Sequence, residues 1–198
     1  MSKGRLEAFS DGVLAIVITI MILELHVPQG TTLNDLFAIW PQFLAYAMSF
    51  GYLAIYWTNH HHLLQAAKTV SSSVLWSNML LLFTLSLVPF ATAWMGEHSF
   101  ASLPVAVYNA VLILPAVSFT LLVITLLRAP GQSATLAETL QGDKKGMISI
   151  ALYVIALAVA LVAPFAAVAI DLVVSAMWVI PSQRIERRLS ETPDAPPH

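Results

Sequence analysis

Cysteine is absent from the chain. Disulfide frameworks, thiolate metal sites and redox motifs are therefore excluded. Charge is scarce as well: Asp, Glu, Lys and Arg make up 10% of the 198 residues, against roughly 25% in ordinary soluble domains. The nine Lys and Arg are too few for a basic nucleic-acid face, and nothing in the sequence matches a nucleic-acid-binding module. What fills the chain instead is apolar, with 58% hydrophobic residues. A soluble chain this short cannot bury so much apolar surface, so lipid is the expected solvent for most of it. The formal net charge of −2 says less than the places where the charges sit.

The stretch from Arg5 to Leu25 sets the terms for the rest. It begins with charge and hydroxyl, then runs apolar from Gly12 to Leu23 with only Thr19 interrupting, and meets a carboxylate at Glu24. A membrane helix needs ~20 apolar residues to cross ~30 Å of hydrocarbon, and a run of this length covers only ~18 Å. Spanning therefore requires Ser10, Asp11 and Glu24 near membrane depth, shielded by protein or water. Polar groups so placed are costly and are functional candidates. Lys3 and Arg5 before an apolar run also imitate a secretory signal. However, Glu24-Leu-His-Val-Pro28 is not a small-residue cleavage site, and Asp11 interrupts the basic region.

Further apolar segments follow at about 36–60, 74–95 and 103–127, after a first at about 5–27. Pro28-Gln-Gly30 marks a turn after the first. His60-His61-His62 and Lys68 follow the second, and His62 reads as a solvated loop residue. Pro115 lies inside the fourth, which membrane helices tolerate. The stretch from Arg128 to Gly146 is polar and forms the one long loop. Met147 to Ile180 is too long for one span and short for two, with Pro164-Phe165 near its middle. Basic residues decide between these readings, because Lys and Arg in short loops prefer the cytoplasmic side. Six helices with both termini cytoplasmic put all nine Lys and Arg inside. Five would leave Arg184, Arg187 and Arg188 outside. The sequence thus predicts an all-α polytopic membrane protein with one transmembrane domain over 1–181, its last helices at about 147–163 and 164–181. The tail, 182–198, is expected to be cytoplasmic and disordered.

That topology gathers Arg5, Ser10 and Asp11 at one depth with Trp57, Asn59, His60 and His61 of the second segment and Trp76 and Asn78 of the third. A partly buried Asp11 needs donors or a cation. His60, His61, asparagine or Arg5 could supply them, as a polar clamp on the first helix. The plainer alternative is an interfacial belt, where Trp and basic residues commonly sit. At ~100° per residue, Gly12, Ile16, Ile20, Leu23 and Val27 share a stripe of the first helix, with Thr19 at its edge. Asp11 points about a third of a turn away. Such a stripe ordinarily means packing or lipid contact, and spacing alone does not show a pore.

Arg5-x-x-x-Phe9-Ser10-Asp11 resembles the signature that opens the first helix of the transmembrane protein 175 family, the endolysosomal potassium channels and their prokaryotic relatives. Gly12-Val13, Ala15-Ile16, Thr19 and Leu23-Glu24-Leu25 fit the rest of that helix. Trp57-x-x-His60-His61 resembles the second helix of the family, and Asn78 with Leu87-Val-Pro89-Phe90 the third. The later helices match only in hydropathy. The resemblance implies a homotetrameric, potassium-preferring cation channel whose pore is lined by the first helix, without a carbonyl filter. It implies Ile16 as the main constriction, Ile20 and Leu23 as further apolar rings, Thr19 as a polar ring between them, and Glu24 at the outer mouth. Arg5, Phe9, Ser10, Asp11, Trp57, His60, His61 and Asn78 are implied to support helix packing. An ideal helix nonetheless places Arg5 near the stripe. No catalytic residue, metal or cofactor is implied; potassium is the transported ion, and the implied location is the plasma (inner) membrane of a prokaryote.

The chemistry is consistent with that reading, since apolar rings make a narrow throat that gates by dewetting. Competing readings are an intramembrane metal-dependent hydrolase, a proton-coupled carrier or leak, and a non-conducting scaffold. Adjacent His60 and His61 lack the His-x-x-x-His spacing of one helical face and no metalloprotease Glu follows. Asp171, in the sixth segment, is the candidate proton site of a carrier. Its plainer role is as partner to polar groups on the fifth segment or near the outer surface.

Overall fold

The structure, a computed structural model, describes residues 2–67, 69–130 and 145–179. Lys68, Lys144, and the tail at 182–198 lie outside the described residues. All described regular structure is helical.

The first helix, α1 (Lys3–Ile20), tightens into a 3₁₀ turn over Met21–Glu24. Leu25 is then extended, at φ −76° and ψ 113°. The helix stops short of Val27 because the residue before a proline, here Pro28, is pushed out of the helical region. A short helix, α2 (Leu33–Ala38), is closed by a capping box. The Thr32 N–H donates to Asp35 Oδ2 at 2.9 Å, and the Asp35 N–H donates to Thr32 Oγ1 at 3.3 Å. The Thr32 hydroxyl and N–H together hold the Asp35 carboxyl below its ordinary value.

α3 (Trp40–Ala66) starts later than the hydropathy suggests, because Pro41 has no N–H for a carbonyl of α2. It also runs six residues past His60, so His61 and His62 are helical and His62 is not in a loop. The third apolar segment is two helices, α4 (Ser72–Leu85) and α5 (Val88–Glu97). Pro89 cannot donate to the Leu85 carbonyl, so the ladder ends there. It restarts with proline in the first turn, where no N–H is required. α6 (Ser102–Leu127) passes through Pro115 unbroken. The ambiguous stretch resolves into α7 (Lys145–Ala160) and α8 (Pro164–Val179), with Pro164 opening the second.

The described chain thus forms six rods: α1, α3, the interrupted α4–α5, α6, α7 and α8. Among the described residues, Lys3–Glu24, Ser72–Glu97 and Ser102–Leu127 are each long and apolar enough to cross a membrane by themselves. α7 and α8 are apolar but have 16 residues each, about 24 Å of helix.

Contacts sort the rod ends into two groups. At one end Lys3 Nζ donates to the Gln65 carbonyl at 2.8 Å, Thr69 Oγ1 donates to the Pro130 carbonyl at 2.7 Å, and Lys145 lies over the Trp178 ring. At the other, His26 meets Glu97 at 3.5 Å, and Phe100 packs between Trp40 and Phe165. The α5–α6 turn there uses Ser99 (φ 49°) and Phe100 (φ 59°) in the left-handed region. That conformation costs an L-residue roughly 1–2 kcal/mol, and burial of the Phe100 ring offsets it. α5 sits close on α3 because Gly96 has no side chain: a Cβ there would lie 2.9 Å from Gln42 Cα. Hydroxyls cross-link the centre, with Thr92 Oγ1 donating to Ser49 Oγ at 2.7 Å and Ser49 paired with the Tyr108 hydroxyl at 2.9 Å.

Candidate functional site

α1 packs on α3 and α4 through one face. Leu6, Ser10, Leu14, Val17 and Met21 recur at helical spacing and are all buried. Ser10 is the polar member. Its Oγ donates back to the Leu6 carbonyl at 2.9 Å and accepts from Asn78 Nδ2 of α4 at 2.9 Å. Asn78 Oδ1 lies 2.6 Å from His60 Nε2 of α3. An amide oxygen only accepts, so His60 presents its Nε2–H. Ser10 and Asn78 are fully buried and His60 is 2% exposed. Three helices are therefore joined through one amide, with the side-chain hydrogen bonds satisfied.

Asp11 lies beside this triad but is not part of it. Its Oδ1 accepts from the Trp57 indole N–H at 2.9 Å, and His61 stacks on that indole. The expected pairing of Asp11 with His60 and His61 is thus replaced by two separate links. The reason is rotational: Trp57, His60 and His61 share a face of α3 at i, i+3 and i+4, and the rotation of α3 turns His60 toward α4 and Trp57 toward α1. Asn59 points elsewhere and donates to the Ile55 carbonyl. Trp76 is exposed.

The opposite face of α1 is open. Arg5, Phe9, Gly12, Ile16, Thr19, Ile20 and Leu23 are all exposed, Ile16 at 59% and Leu23 at 79%. Arg5 and Phe9 therefore lie with the stripe, away from the buried triad. Among the described residues Arg5 has no ion-pair partner. In the 3₁₀ turn residues i and i+3 eclipse, which sets Leu23 in line with Ile20. Val27 lies beyond the helix and does not extend the stripe. Thr19 Oγ1 donates to the Ala15 carbonyl at 2.8 Å and lies 3.1 Å from that of Ile16. With its hydrogen committed to the helix, the hydroxyl oxygen has lone pairs to offer outward. Glu24, at the end of the turn, is exposed.

Among the described residues no group of three or more His, Asp or Glu is placed to hold a metal ion. Asp171 meets Asn109 of the fourth span, α6, and not a group on the fifth. The sequence reading passed over Asn109 and the Ser49–Thr92–Tyr108 set. A polar side chain inside an otherwise apolar segment is the signal that marks each of them.

The profile of the family described as endosomal/lysosomal potassium channel TMEM175 matches residues 5–89. That range contains α1 from Arg5 onward, the buried triad and the Asp11–Trp57 contact. A potassium channel of Chryseobacterium sp. (strain P1-3) is 49% identical over 191 residues, covering 96% of this chain and all of that protein. A potassium channel of Chamaesiphon minutus is 36% identical over 125 residues, 59% of this chain and 62% of the relative. Among solved structures, the crystal structure of a lysosomal potassium-selective channel TMEM175 homolog from Chamaesiphon minutus matches with a TM-score of 0.80. Its identity is 29%, with 90% of this chain and 96% of that chain covered. The fold is accordingly an all-α polytopic membrane fold, and the chain belongs to the TMEM175 family.

Proposed function

We propose that the chain forms a potassium-selective channel whose pore is lined by the exposed face of α1. The observation that carries this reading is the asymmetry of that helix. One face is locked into the subunit by Leu6, Ser10, Leu14 and Val17, while Ile16, Ile20 and Leu23 are left open. Copies of this face around a common axis, four in a homotetramer, make stacked apolar rings. Such a throat gates by dewetting. Ile16 is its main constriction, and Thr19 supplies a ring of hydroxyl oxygens between Ile16 and Ile20. Glu24, Asp35 and Glu97 raise the local cation concentration at the outer mouth through their field. The distribution of Lys and Arg favours both termini and the Lys3–Gln65 end of the bundle on the cytoplasmic side of a prokaryotic plasma membrane. The buried triad and the Asp11–Trp57 contact hold α1 in register and do not touch the ion.

The test is flux from liposomes containing the purified protein, potassium against sodium. Potassium flux that does not saturate, and that rises when Ile16 is made polar, supports the reading. Saturable flux at carrier rates, or no flux at all, contradicts it.

A further inference from the structure

A second buried polar contact lies between α6 and α8. Asp171 is 3% exposed and Asn109 is fully buried. Asn109 Nδ2 donates to Asp171 Oδ2 at 3.3 Å and to the Val105 carbonyl at 3.1 Å. The other oxygen of each side chain, Asp171 Oδ1 and Asn109 Oδ1, is buried without a hydrogen-bond partner. Two acceptors left over from one amide–carboxyl contact are a specific deficit. The first N–H···O bond is made, and what is missing is a hydrogen for the second.

No cation answers that deficit. Among the described residues no Lys, Arg or His pairs with Asp171. The titratable side chains near it are tyrosines: Tyr108 from α6 and Tyr153 from α7, with Tyr52 of α3 edge-on to Tyr153. The Tyr108 hydroxyl is engaged with Ser49, and that of Tyr52 donates to the Leu112 carbonyl. An ionised carboxylate here would be buried with one neutral donor, which is strongly unfavourable. A proton on Asp171 Oδ1 removes the charge. Donated to Asn109 Oδ1, the same hydrogen would serve both unpaired acceptors and close an eight-membered amide–acid ring.

We propose that Asp171 is a proton-binding site: its carboxyl is protonated in the folded channel and forms a two-bond cyclic pair with Asn109 that fastens α6 to α8. A cavity of about 30 Å³, bordered by Tyr153 and Ser175 among others, comes within one turn of it. The Ser175 hydroxyl itself donates to the Asp171 carbonyl at 2.9 Å. A space of that size admits a water. The folded state then holds a proton that the unfolded chain releases at neutral pH, so stability falls as pH rises. None of this depends on the pore reading, and its test reads a carboxyl group rather than a current.

Infrared difference spectra of the full-length protein in lipid decide the matter, wild type against Asp171→Asn, in buffers with and without sodium and potassium. The expected result is a protonated-carboxyl C=O band at neutral pH that is absent from Asp171→Asn, independent of either cation, and lost on alkaline titration. The thermal midpoint of the wild type should fall as pH rises from the ordinary carboxylate range up to that titration and level off above it, while that of Asp171→Asn stays level. Asn109→Leu, which removes the acceptor, should shift the band to higher frequency. That variant keeps the proposal testable if Asp171→Asn does not fold. Absence of the band at neutral pH would overturn the proposal. So would a band that appears only when the cations are withdrawn, since a bound cation would then be the occupant.

Discussion

The two faces of α1 have similar hydropathy and opposite fates. Leu6, Leu14 and Val17 are closed against α3 and α4, with Ser10 tied through Asn78 to His60. Ile16, Ile20 and Leu23, a fraction of a turn away, are left exposed in the subunit. The difference lies in the polar residue that accompanies each face. Ser10 has a partner waiting on α4, so its face is fixed inward, and Thr19 folds its hydrogen onto its own helix, so its face needs no partner inside the subunit. The buried hydroxyl and the apolar Leu6, Leu14, Val17 and Met21 beside it together fix the rotation of the rod, and that rotation decides which apolar residues are left open.

Changes on the two faces should separate permeation from stability. The largest effect is expected from Ile16→Asn. Wetting the throat should raise single-channel conductance by about tenfold or more, a barrier drop of ~1.4 kcal/mol, and weaken selectivity. Because Ile16 is exposed in the subunit, the thermal stability of the same variant should change by no more than ~0.5 kcal/mol. Asn78→Leu should do the reverse. It leaves Ser10 and His60 without their shared partner, at a cost of about 2–3 kcal/mol in stability by thermal unfolding in detergent, while channels that survive conduct normally. Trp57→Phe removes the indole donor from Asp11 at the exposed edge of the clamp and should cost about 1 kcal/mol. If it costs more than Asn78→Leu, the ranking of the buried triad over the Asp11 contact is wrong. The smallest effect belongs to Asp35 of α2. Its carboxyl is held below the ordinary value in the folded state, so its capping contribution is present above the ordinary carboxylate range and lost as pH falls through the depressed one. Asp35→Ala should speed amide exchange in α2 at neutral pH and lower conductance only slightly, through the loss of one carboxylate from the field at the mouth.

Much of this was legible in the sequence, and the parts that were not have a common cause. Six rods follow from apolar runs that each end on charge, Pro or a His cluster. Two prolines show the limit. Pro89 and Pro115 carry the same local chemistry, yet the helix ends before Pro89 and continues through Pro115. Sequence locates a missing N–H but not whether neighbouring helices compensate for it. The polar layer around Ser10, Asp11, Trp57, His60 and Asn78 was placed at one depth by topology. Which donor meets which acceptor depends on the rotation of α3 about its axis, a matter of packing, and so Asp11 meets Trp57 and not His60 or His61. Asn109 and Asp171 are 62 residues apart, and no local pattern connects them.

The absence of cysteine makes the central claim directly testable. Ile16→Cys introduces the sole thiol of the chain, and Leu14→Cys, on the buried face, serves as the control. With the channel reconstituted in planar bilayers, a thiol-reactive silver ion applied to the conducting channel should block the Ile16→Cys current rapidly and completely, and leave Leu14→Cys and the wild type conducting. Full conductance of Ile16→Cys in the presence of silver would mean that the open face of α1 does not line the ion path.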